Sequence, residues 1–221
     1  MLRFLGRVLL VLVLLPPALI LLGRWVDPPG TPLMLLRRLD GATIDHRAVP
    51  LDQVSPALAR AVVASEDNRF CSHSGIDFQA VRDAIDEQDE TGRLRGASTI
   101  TMQLARNLFL WPGGGFVRKA IEAPLALLID ALWPKRRVME VYLGVVEWGD
   151  GIFGAEAAAR RHFHKPARSL TRAEAARLAA VLPNPRRWNA AAPTAYIQRR
   201  TATIDRRVDQ LGREMVACLA P

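Results

Sequence analysis

Two adjacent acids, Glu66 and Asp67, end an amphipathic run and directly precede the turn sequence RFCSHSG. Carboxylates are unfavourable at the C-terminal end of a helix, because the helix dipole places negative partial charge there. That repulsion, and an apolar neighbour such as Phe70, would raise the pKa of a carboxyl group. A raised pKa suits a general base. A catalytic carboxylate is therefore one interpretation of the pattern. The simpler one, which this stretch taken alone favours, is a solvated Glu66 beside an Asp67 that caps the next turn.

A second stretch, GASTITMQLARNLFL at 96–110, places hydroxyl groups near a predicted helix N-terminus that follows Gly96. The hydroxyl-bearing residues are Ser98, Thr99 and Thr101. Backbone N–H groups and hydroxyls at such a position can bind an anion. The simpler interpretation is helix capping by Ser98, with Thr101 and Gln103 exposed, and this stretch taken alone favours capping.

Charged residues occupy two further helical stretches, RKAIE at 118–122 and KRRVMEVYL at 135–143. Arg118 and Glu122 stand four residues apart, where an exposed ion pair contributes only a few tenths of a kcal/mol. The residues around them are nearly all apolar, which favours a cleft over open solvent. Lys135 begins a run of three cations that could bind nucleic acid or neutralise a phosphate leaving group.

Composition bounds the class of protein. The chain has 221 residues, half of them apolar, and a formal net charge of +8. It can therefore build a core and is not expected to be disordered, and its charge favours an anionic partner such as nucleic acid, a membrane surface or a phosphorylated substrate. The two cysteines, Cys71 and Cys218, lack metal-site spacing. They are more typical of buried side chains than of a disulfide, although an exported chain would permit one.

Helical signals dominate the body of the chain, which we predict to be a mainly α single domain over 51–221. Helix starts are indicated at Ser55-Pro56, Asp77, Ser98 and Thr171 with Glu174. The first of these predicts a helix over 56–66, and a long amphipathic run is predicted to close the chain over 194–218. Glycines between 149 and 154 indicate a turn, and no strongly alternating strand or internal repeat is found.

The N-terminal region carries an uncharged apolar run at 8–22. The interval between Arg7 and Arg24 spans about 24 Å as a helix, somewhat short of a hydrocarbon core of about 30 Å. Snorkelling arginines can make up the difference. Since no small-x-small cleavage site follows, we predict an uncleaved anchor at 1–25 rather than a signal peptide, followed by a juxtamembrane linker at 26–50.

These stretches together resemble one family. In order and spacing they are similar to the motifs of the peptidoglycan glycosyltransferases of the lysozyme-like type. The matching stretches are EDNRFCSHSG, GASTITMQLARNLF, RKAIE and KRRVMEVYL, followed by GDGIFGAEAAARRHFHKPARSLTRAEAARLAAVLPNP. The resemblance covers about residues 50 to 195, and the chain looks like a monofunctional member, without a transpeptidase domain. It implies a mainly α fold with a cleft between two helical lobes, preceded by one transmembrane helix.

The resemblance also implies a reaction, the polymerisation of lipid II into glycan strands. Glu66 would take the proton from the GlcNAc 4-hydroxyl of the incoming lipid II, whose oxygen attacks C1 of the lipid-linked chain. The configuration inverts and undecaprenyl pyrophosphate departs. Arg118, Lys119 and Lys135 would neutralise that leaving group, while Glu122 positions the donor pyrophosphate, through Mg²⁺ or by orienting the cations. No cofactor is required by the sequence, and a divalent cation is the option left open.

The same resemblance assigns substrate binding to further residues, namely Asp67, Phe70, His73 and Gly75 in the first motif and Gly96, Ser98, Thr99 and Gln103 in the second. The sequence departs from the family pattern at His162 and His164, where tyrosine and glycine are more common, and at two further positions. Met102 stands where a glutamine is usual, and Gly144 stands where an asparagine is usual. Neither removes a proposed catalytic group, but both bear on fine positioning of the substrate.

The expected partners are lipid II, the growing glycan strand and the membrane, with other cell-wall synthesis or division proteins as further candidates and no nucleic acid. The positive-inside rule places Arg3 and Arg7 in the cytoplasm, and hence the catalytic body on the periplasmic side of a single-pass bacterial inner-membrane protein.

Three alternative functions remain open: a lysozyme-like hydrolase, a non-catalytic tethered binder of anionic polymers, and a DNA-binding protein. A transferase would make polymer from lipid II, whereas the binder would tolerate Glu66→Gln.

Overall fold

The computed structural model describes residues 2–92 and 96–220 and is mainly helical there, as predicted. Its α-helices are α1 (Leu2–Gly23), α2 (Pro32–Leu39), α3 (Pro56–Glu66), α4 (Phe78–Thr91), α5 (Ile100–Phe109), α6 (Gly115–Leu132), α7 (Lys135–Val145), α8 (Ala155–Phe163), α9 (Arg172–Val181) and α10 (Ala195–Gln210). Short 3-10 segments occur at Leu51–Gln53, Ala167–Ser169 and Arg213–Leu219.

Local signals located several helix ends correctly. The helix predicted over 56–66 is α3. The carboxylate of Asp77 accepts a hydrogen bond from the backbone N–H of Ala80 and caps α4, as expected. Thr171 and Glu174 form the predicted reciprocal capping box at the start of α9. These helix starts are set by residues within one turn of each end, which is why sequence alone locates them.

The predictions for the start of α5 and for the C-terminal end of the chain were wrong. The cap of α5 is Thr99, whose Oγ1 accepts from Met102 N at 3.1 Å, rather than Ser98, and Thr101 is fully buried rather than exposed. The closing run over 194–218 is not one helix. It is α10 followed by a separate 3-10 segment after Gly212.

The structure contains a small three-stranded sheet that was not predicted from the sequence. Strands β1 (Asp45–His46), β2 (Glu147–Gly149) and β3 (Ile152–Phe153) lie in the order β1-β3-β2, with β3 parallel to β1 and antiparallel to β2. Strands of two or three residues are too short to show alternation. Gly154 leaves the sheet at φ +90°, and a Cβ there would lie 2.3 Å from the Arg47 carbonyl oxygen.

The helices of the body pack in two groups. One group contains α3, α9 and α10, and the other contains α5, α6 and α7. The core beneath them includes the fully buried side chains of Phe70, Tyr142, Trp148 and Phe153. Because α3 ends at Glu66 and α5 carries Gln103, the contact between these two side chains joins the two groups.

The N-terminal part of the chain contacts the body. The indole N–H of Trp133 donates to the Ile20 carbonyl oxygen of α1 at 2.6 Å. The interval 26–50, predicted as a linker, contains α2 and β1, and Met34 of α2 is buried in the core. In residues 2–92 and 96–220 no helix is both long and apolar enough to cross a membrane, in contrast to the anchor predicted at 1–25.

Cys71 and Cys218 form a disulfide, with their Cα atoms 5.6 Å apart. The sequence left this pairing open, with separate buried thiols as the more common outcome for two distant cysteines. The two cysteines are 147 residues apart in sequence, so only the packing of the 3-10 segment against the body brings them together.

Candidate active site

Glu66 lies at the C-terminal end of α3 with its carboxylate largely buried. The side-chain amide of Gln103, on α5, donates from Nε2 to Glu66 Oε2 at 3.0 Å. The guanidinium of Arg200, on α10, approaches the other oxygen, with Nη2 at 3.8 Å from Oε1. Three helices that are distant in sequence therefore meet at this one carboxylate.

Burial raises the pKa of the Glu66 carboxyl above its ordinary value. The Gln103 hydrogen bond and the positive charges of Arg200 and Arg106 oppose that rise. The raised pKa agrees with the expectation from sequence, but its main cause is loss of solvent. Such a carboxylate can accept a proton more readily than an exposed glutamate.

Tyr142 of α7 holds Gln103 in place. Its hydroxyl donates to Gln103 Oε1 at 3.0 Å, so the amide nitrogen of Gln103 is directed toward Glu66. Tyr142 is fully buried, and burial keeps its pKa well above the usual range, so the hydroxyl stays a donor. Sequence reasoning missed Tyr142. The available signal was a tyrosine in an apolar helix, since a buried phenol normally has a hydrogen-bond partner.

The turn after α3 is tied to the start of α5 by two sets of hydrogen bonds. Both carboxylate oxygens of Asp67 lie 3.0 Å from His73 Nε2, and Asp67 also accepts from Ile100 N at 2.9 Å. The Thr99 hydroxyl donates to the Gly75 carbonyl oxygen at 2.6 Å. The residues expected to bind substrate here thus hold the first and second motifs in register.

Close packing fixes the same turn against α6 and α7. Gly75 has φ +78°, and a Cβ there would lie 2.7 Å from the Ala126 carbonyl oxygen. Phe70 is fully buried, and the ammonium of Lys135 stands 4.8 Å from the centre of its ring. Phe70 is therefore a core residue that also contacts a predicted leaving-group cation.

An open cavity of about 450 Å³ lies beside Glu66. Part of its lining comes from the first and second motifs, including Glu66, Asp67, Gly96, Ser98 and Thr99. The rest includes residues near the C-terminus: Arg207, Gln210, Leu211 and Met215. The cavity thus gives a ligand access to the buried carboxylate.

The predicted leaving-group residues lie apart from this lining. Arg118 donates to the Glu122 carboxylate, which is 2% exposed, and to the carbonyl oxygen of Gly113. Lys119, one residue along α6, is exposed to solvent. Arg118 and Glu122 form a buried pair in which Glu122 orients the guanidinium.

Lys135, at the first position of α7, is also paired. Its ammonium lies 2.6 Å from the Asp130 carboxylate of α6. Arg118, Lys119, Glu122 and Lys135 are all absent from the described lining of the Glu66 cavity. Glu66 and this group of charges therefore occupy neighbouring regions, and the described lining of the cavity includes Glu66 but not these charges.

Arg106 connects the two regions electrostatically. It lies one turn after Gln103 on α5, and its positive charge lowers the pKa of Glu66. The same charge reinforces the effect of burial in lowering the pKa of Arg118. Sequence reasoning missed Arg106, although the i,i+3 spacing from Gln103 placed both side chains on one face of a helix.

The residues near Glu122 do not fit a metal site. Its carboxylate is occupied by the Arg118 guanidinium, which would have to leave before a cation could bind. Within the described ranges, no three His, Cys, Asp or Glu side chains come together in a way that could hold a metal ion. Glu122, as it is paired here, is therefore not available as a Mg²⁺ ligand.

Two departures from the family pattern, Met102 and Gly144, have structural settings. Met102 is buried in the core, 8% exposed, so its side chain packs rather than lines the cavity. A Cβ on Gly144 would meet the Ala48 Cβ at 3.3 Å, and the Gly144 carbonyl oxygen lies 3.1 Å from His46 Nε2. The segment around β1 thus packs tightly where a larger side chain would otherwise project.

Comparisons with known proteins identify relatives over most of the chain. A family model described as Transglycosylase matches residues 34–209. The chain is 59% identical over 221 residues to the "Biosynthetic peptidoglycan transglycosylase" of Rhodospirillum centenum, covering 99% of this chain and 96% of the relative. It is 46% identical to the protein of that name from Caulobacter vibrioides, covering 96% and 93%, and 50% identical to that of Pseudomonas fluorescens, covering 88% and 83%. A full-length match of this kind shows that the chain belongs to the transglycosylase family.

Proposed function

We propose that this chain polymerises lipid II into peptidoglycan glycan strands, with Glu66 as the general base. The observation that carries the proposal is a buried carboxylate of raised pKa that opens onto a cavity and is held by Gln103. A base of this kind needs burial to raise its proton affinity and one fixed donor to hold its orientation.

The reaction proceeds in one displacement. Glu66 takes the proton from the GlcNAc 4-hydroxyl of the acceptor lipid II as that oxygen attacks C1 of the lipid-linked MurNAc at the end of the growing chain. The new C1–O bond forms as the bond from C1 to the pyrophosphate oxygen breaks. The configuration changes from α to β, and undecaprenyl pyrophosphate leaves with the bonding electron pair.

The departing pyrophosphate is a weak base, so it needs positive charge rather than a general acid. Arg118, Lys119 and Lys135 supply that charge, and Arg106 extends it toward the base. Glu122 orients Arg118 through their buried ion pair. Preorganised charges of this kind stabilise the transition state because they need not reorganise as the bond breaks.

The substrate cleft runs between the two helical groups, α3–α9–α10 and α5–α6–α7, in a catalytic body over 51–221. Glu66 and Gln103 meet where these groups touch, which supports a cleft at that boundary. Gly96 and Ser98, which are expected to bind substrate, line the same cavity as Glu66.

Residues 1–25 hold the chain at the bacterial inner membrane as a short single-pass anchor whose flanking arginines reach the lipid headgroups. The catalytic body lies on the periplasmic side. The uncharged run at 8–22 supports this anchor, as do exposed leucines such as Leu14 on α1 and Leu35 on α2. The Cys71–Cys218 disulfide fits an oxidising compartment. Lipid II and the growing strand are the substrates there, and other cell-wall synthesis or division proteins are candidate partners.

The test is polymerisation of purified lipid II by the wild type, Glu66→Gln and Glu122→Gln. The wild type should make glycan polymer, and loss of a general base should lower kcat by about 10²-fold to 10⁴-fold. Glu90→Gln, which changes an exposed acid of α4, is the matched control and should polymerise at the wild-type rate.

Two outcomes would contradict the proposal. If Glu66→Gln made polymer at the wild-type rate, Glu66 would not be the general base. If the chain released fragments from preformed glycan and made no polymer, it would be a hydrolase. The anchor is tested separately by alkaline carbonate extraction of membranes. The full chain should stay with the membrane, and a variant lacking residues 2–25 should be released.

A further inference from the structure

One wall of the Glu66 cavity comes from the end of the chain. We call it the C-terminal wall, and it consists of Arg207, Gln210, Leu211 and Met215. Gln210, Leu211 and Met215 lie beyond residue 209, where the family match ends. Part of the surface beside the proposed base is therefore supplied by a segment that the family model does not cover.

Three ties hold this segment in place. The Cys71–Cys218 disulfide joins it to the turn that follows Glu66. The guanidinium of Arg136, on α7, donates to the Leu219 carbonyl oxygen at 3.0 Å. The side chain of Val216 packs against the core. A segment anchored in this way presents a fixed surface to a ligand.

The register of α10 relates this wall to the base. Arg200 and Arg207 are seven residues apart, so they lie on nearly the same side of the helix, about 10 Å apart along its axis. Arg200 contacts the Glu66 carboxylate, and Arg207 lines the same cavity further along. A ligand whose hydroxyl reaches Glu66 can thus extend along α10 to the Arg207 guanidinium.

The charge on Arg207 is available to such a ligand. Other charged residues of the lining are paired, Arg69 with Asp77 at 2.8 Å and Asp67 with His73 at 3.0 Å. The side chain of Arg207 is exposed, and no ion pair joins it to any residue in the described ranges. A guanidinium in this position is suited to a carboxylate of the ligand.

We propose that the C-terminal wall binds the acceptor substrate, with Arg207 pairing to a carboxylate of the acceptor's peptide while Glu66 receives the proton of its sugar hydroxyl. Gln210 offers an amide for hydrogen bonding, and Leu211 and Met215 offer apolar contact. The disulfide ties this wall to the turn that follows Glu66. The inference rests on the proposed function, in which the acceptor is lipid II.

Binding is measured without turnover, in the Glu66→Gln background, using lipid II with free peptide carboxylates and lipid II with those carboxylates amidated. Adding Arg207→Ala should raise the Kd for the free-carboxylate form about threefold to fivefold, as expected for a solvent-accessible ion pair. The Kd for the amidated form should not change. Arg206→Ala is the matched control, because Arg206 is exposed on α10 and its side chain contacts Thr203 instead.

The same protein tests the role of the disulfide. In the protein that keeps both cysteines, reduction with dithiothreitol should raise the Kd for both lipid II forms. Cys218→Ser, which cannot form the disulfide, should show the raised Kd with or without reductant. Circular dichroism establishes that each variant is folded. Turnover is measured in the protein that retains Glu66. There, Arg207→Ala should raise KM and keep kcat within about twofold of the wild-type value, since a binding contact away from the reacting atoms contributes equally to ground and transition states.

The outcomes separate this inference from the proposed function. An unchanged Kd on Arg207→Ala, or an equal rise for both lipid II forms, overturns the role of Arg207 even if the wild type polymerises. An unchanged Kd on reduction overturns the role of the tether. Carboxylate-dependent binding by a chain that makes no polymer would support the C-terminal wall and refute the polymerase.

Discussion

The side-chain amide of Gln103 donates a hydrogen bond to the carboxylate of Glu66 across the boundary between α5 and α3, at 3.0 Å. This contact opposes the rise in pKa that burial imposes on Glu66. It also fixes which carboxylate oxygen is engaged and leaves the other toward Arg200. Gln103 therefore influences both the pKa and the orientation of the Glu66 carboxylate, although it does not itself take the proton.

Replacing Gln103 by alanine should raise the pKa of Glu66 further, because a hydrogen bond to the charged form is lost. The base acts when deprotonated, so activity is present above its pKa and lost as the pH falls through it. The acidic limb of the kcat profile should therefore move to higher pH. Gln88→Ala, an exposed change on α4, should leave the profile in place. A profile that stays fixed or moves to lower pH in Gln103→Ala would contradict this account.

Tyr142→Phe should act through Gln103. The change leaves Gln103 Oε1 without its donor, and an unsatisfied buried acceptor costs about 1–3 kcal/mol of unfolding free energy. The acidic limb should shift in the same direction as in Gln103→Ala. The double variant should show no larger shift than Gln103→Ala alone, and an additive shift would mean that Tyr142 acts independently. Urea unfolding and pH profiles of all three variants measure both effects.

Glu66→Gln should increase stability while lowering kcat. The folded-state pKa of Glu66 is raised above its unfolded value, so the folded state binds more protons between the two values and stability declines as pH rises through that window. At neutral pH the buried charge is therefore destabilising. A neutral glutamine removes that effect and can still accept the Gln103 hydrogen bond. Thermal unfolding at pH 7 should give a higher Tm than wild type, whereas a lower Tm would show that the charge is stabilising.

Glu122→Gln should destabilise the fold more than removal of the whole pair. It leaves Arg118 partly buried without its counter-charge, and breaking a buried pair costs about 3–5 kcal/mol. Changing both residues to glutamine removes the uncompensated charge. The double variant should therefore unfold at higher urea than Glu122→Gln alone. Equal midpoints would indicate that solvent already screens Arg118.

Gly75→Ala should lower both Tm and kcat. The backbone at Gly75 has φ +78°, and the added Cβ would overlap the Ala126 carbonyl oxygen. A strained backbone of this kind costs about 1–3 kcal/mol. The resulting shift would also disturb the Thr99 hydrogen bond that ties the turn to α5. Gly30→Ala is the control, since its Cβ would make only an ordinary contact with Met34. Wild-type Tm in Gly75→Ala would show that the turn relaxes freely.

Sequence alone determined the features that depend on neighbours within a turn or two. The span of α3, the cap at Asp77 and the capping box at Thr171 follow from residue types at fixed short spacings. The acid at the end of α3 was also identifiable, because its place in the helix pattern is local. The β1–β3 pairing was not, because strands of two residues carry no periodic signal.

Only the tertiary structure decided which distant groups meet. Gln103 reaches Tyr142 because α5 packs against α7, and it reaches Glu66 because the C-terminal end of α3 lies beside α5. The bond from Thr99 to Gly75 joins the turn after α3 to the start of α5. Cys71 and Cys218 were visible as two cysteines, but their pairing depends on how the end of the chain folds back. Contacts of this kind depend on helix packing, whose geometry is set by the whole core rather than by residues adjacent in sequence.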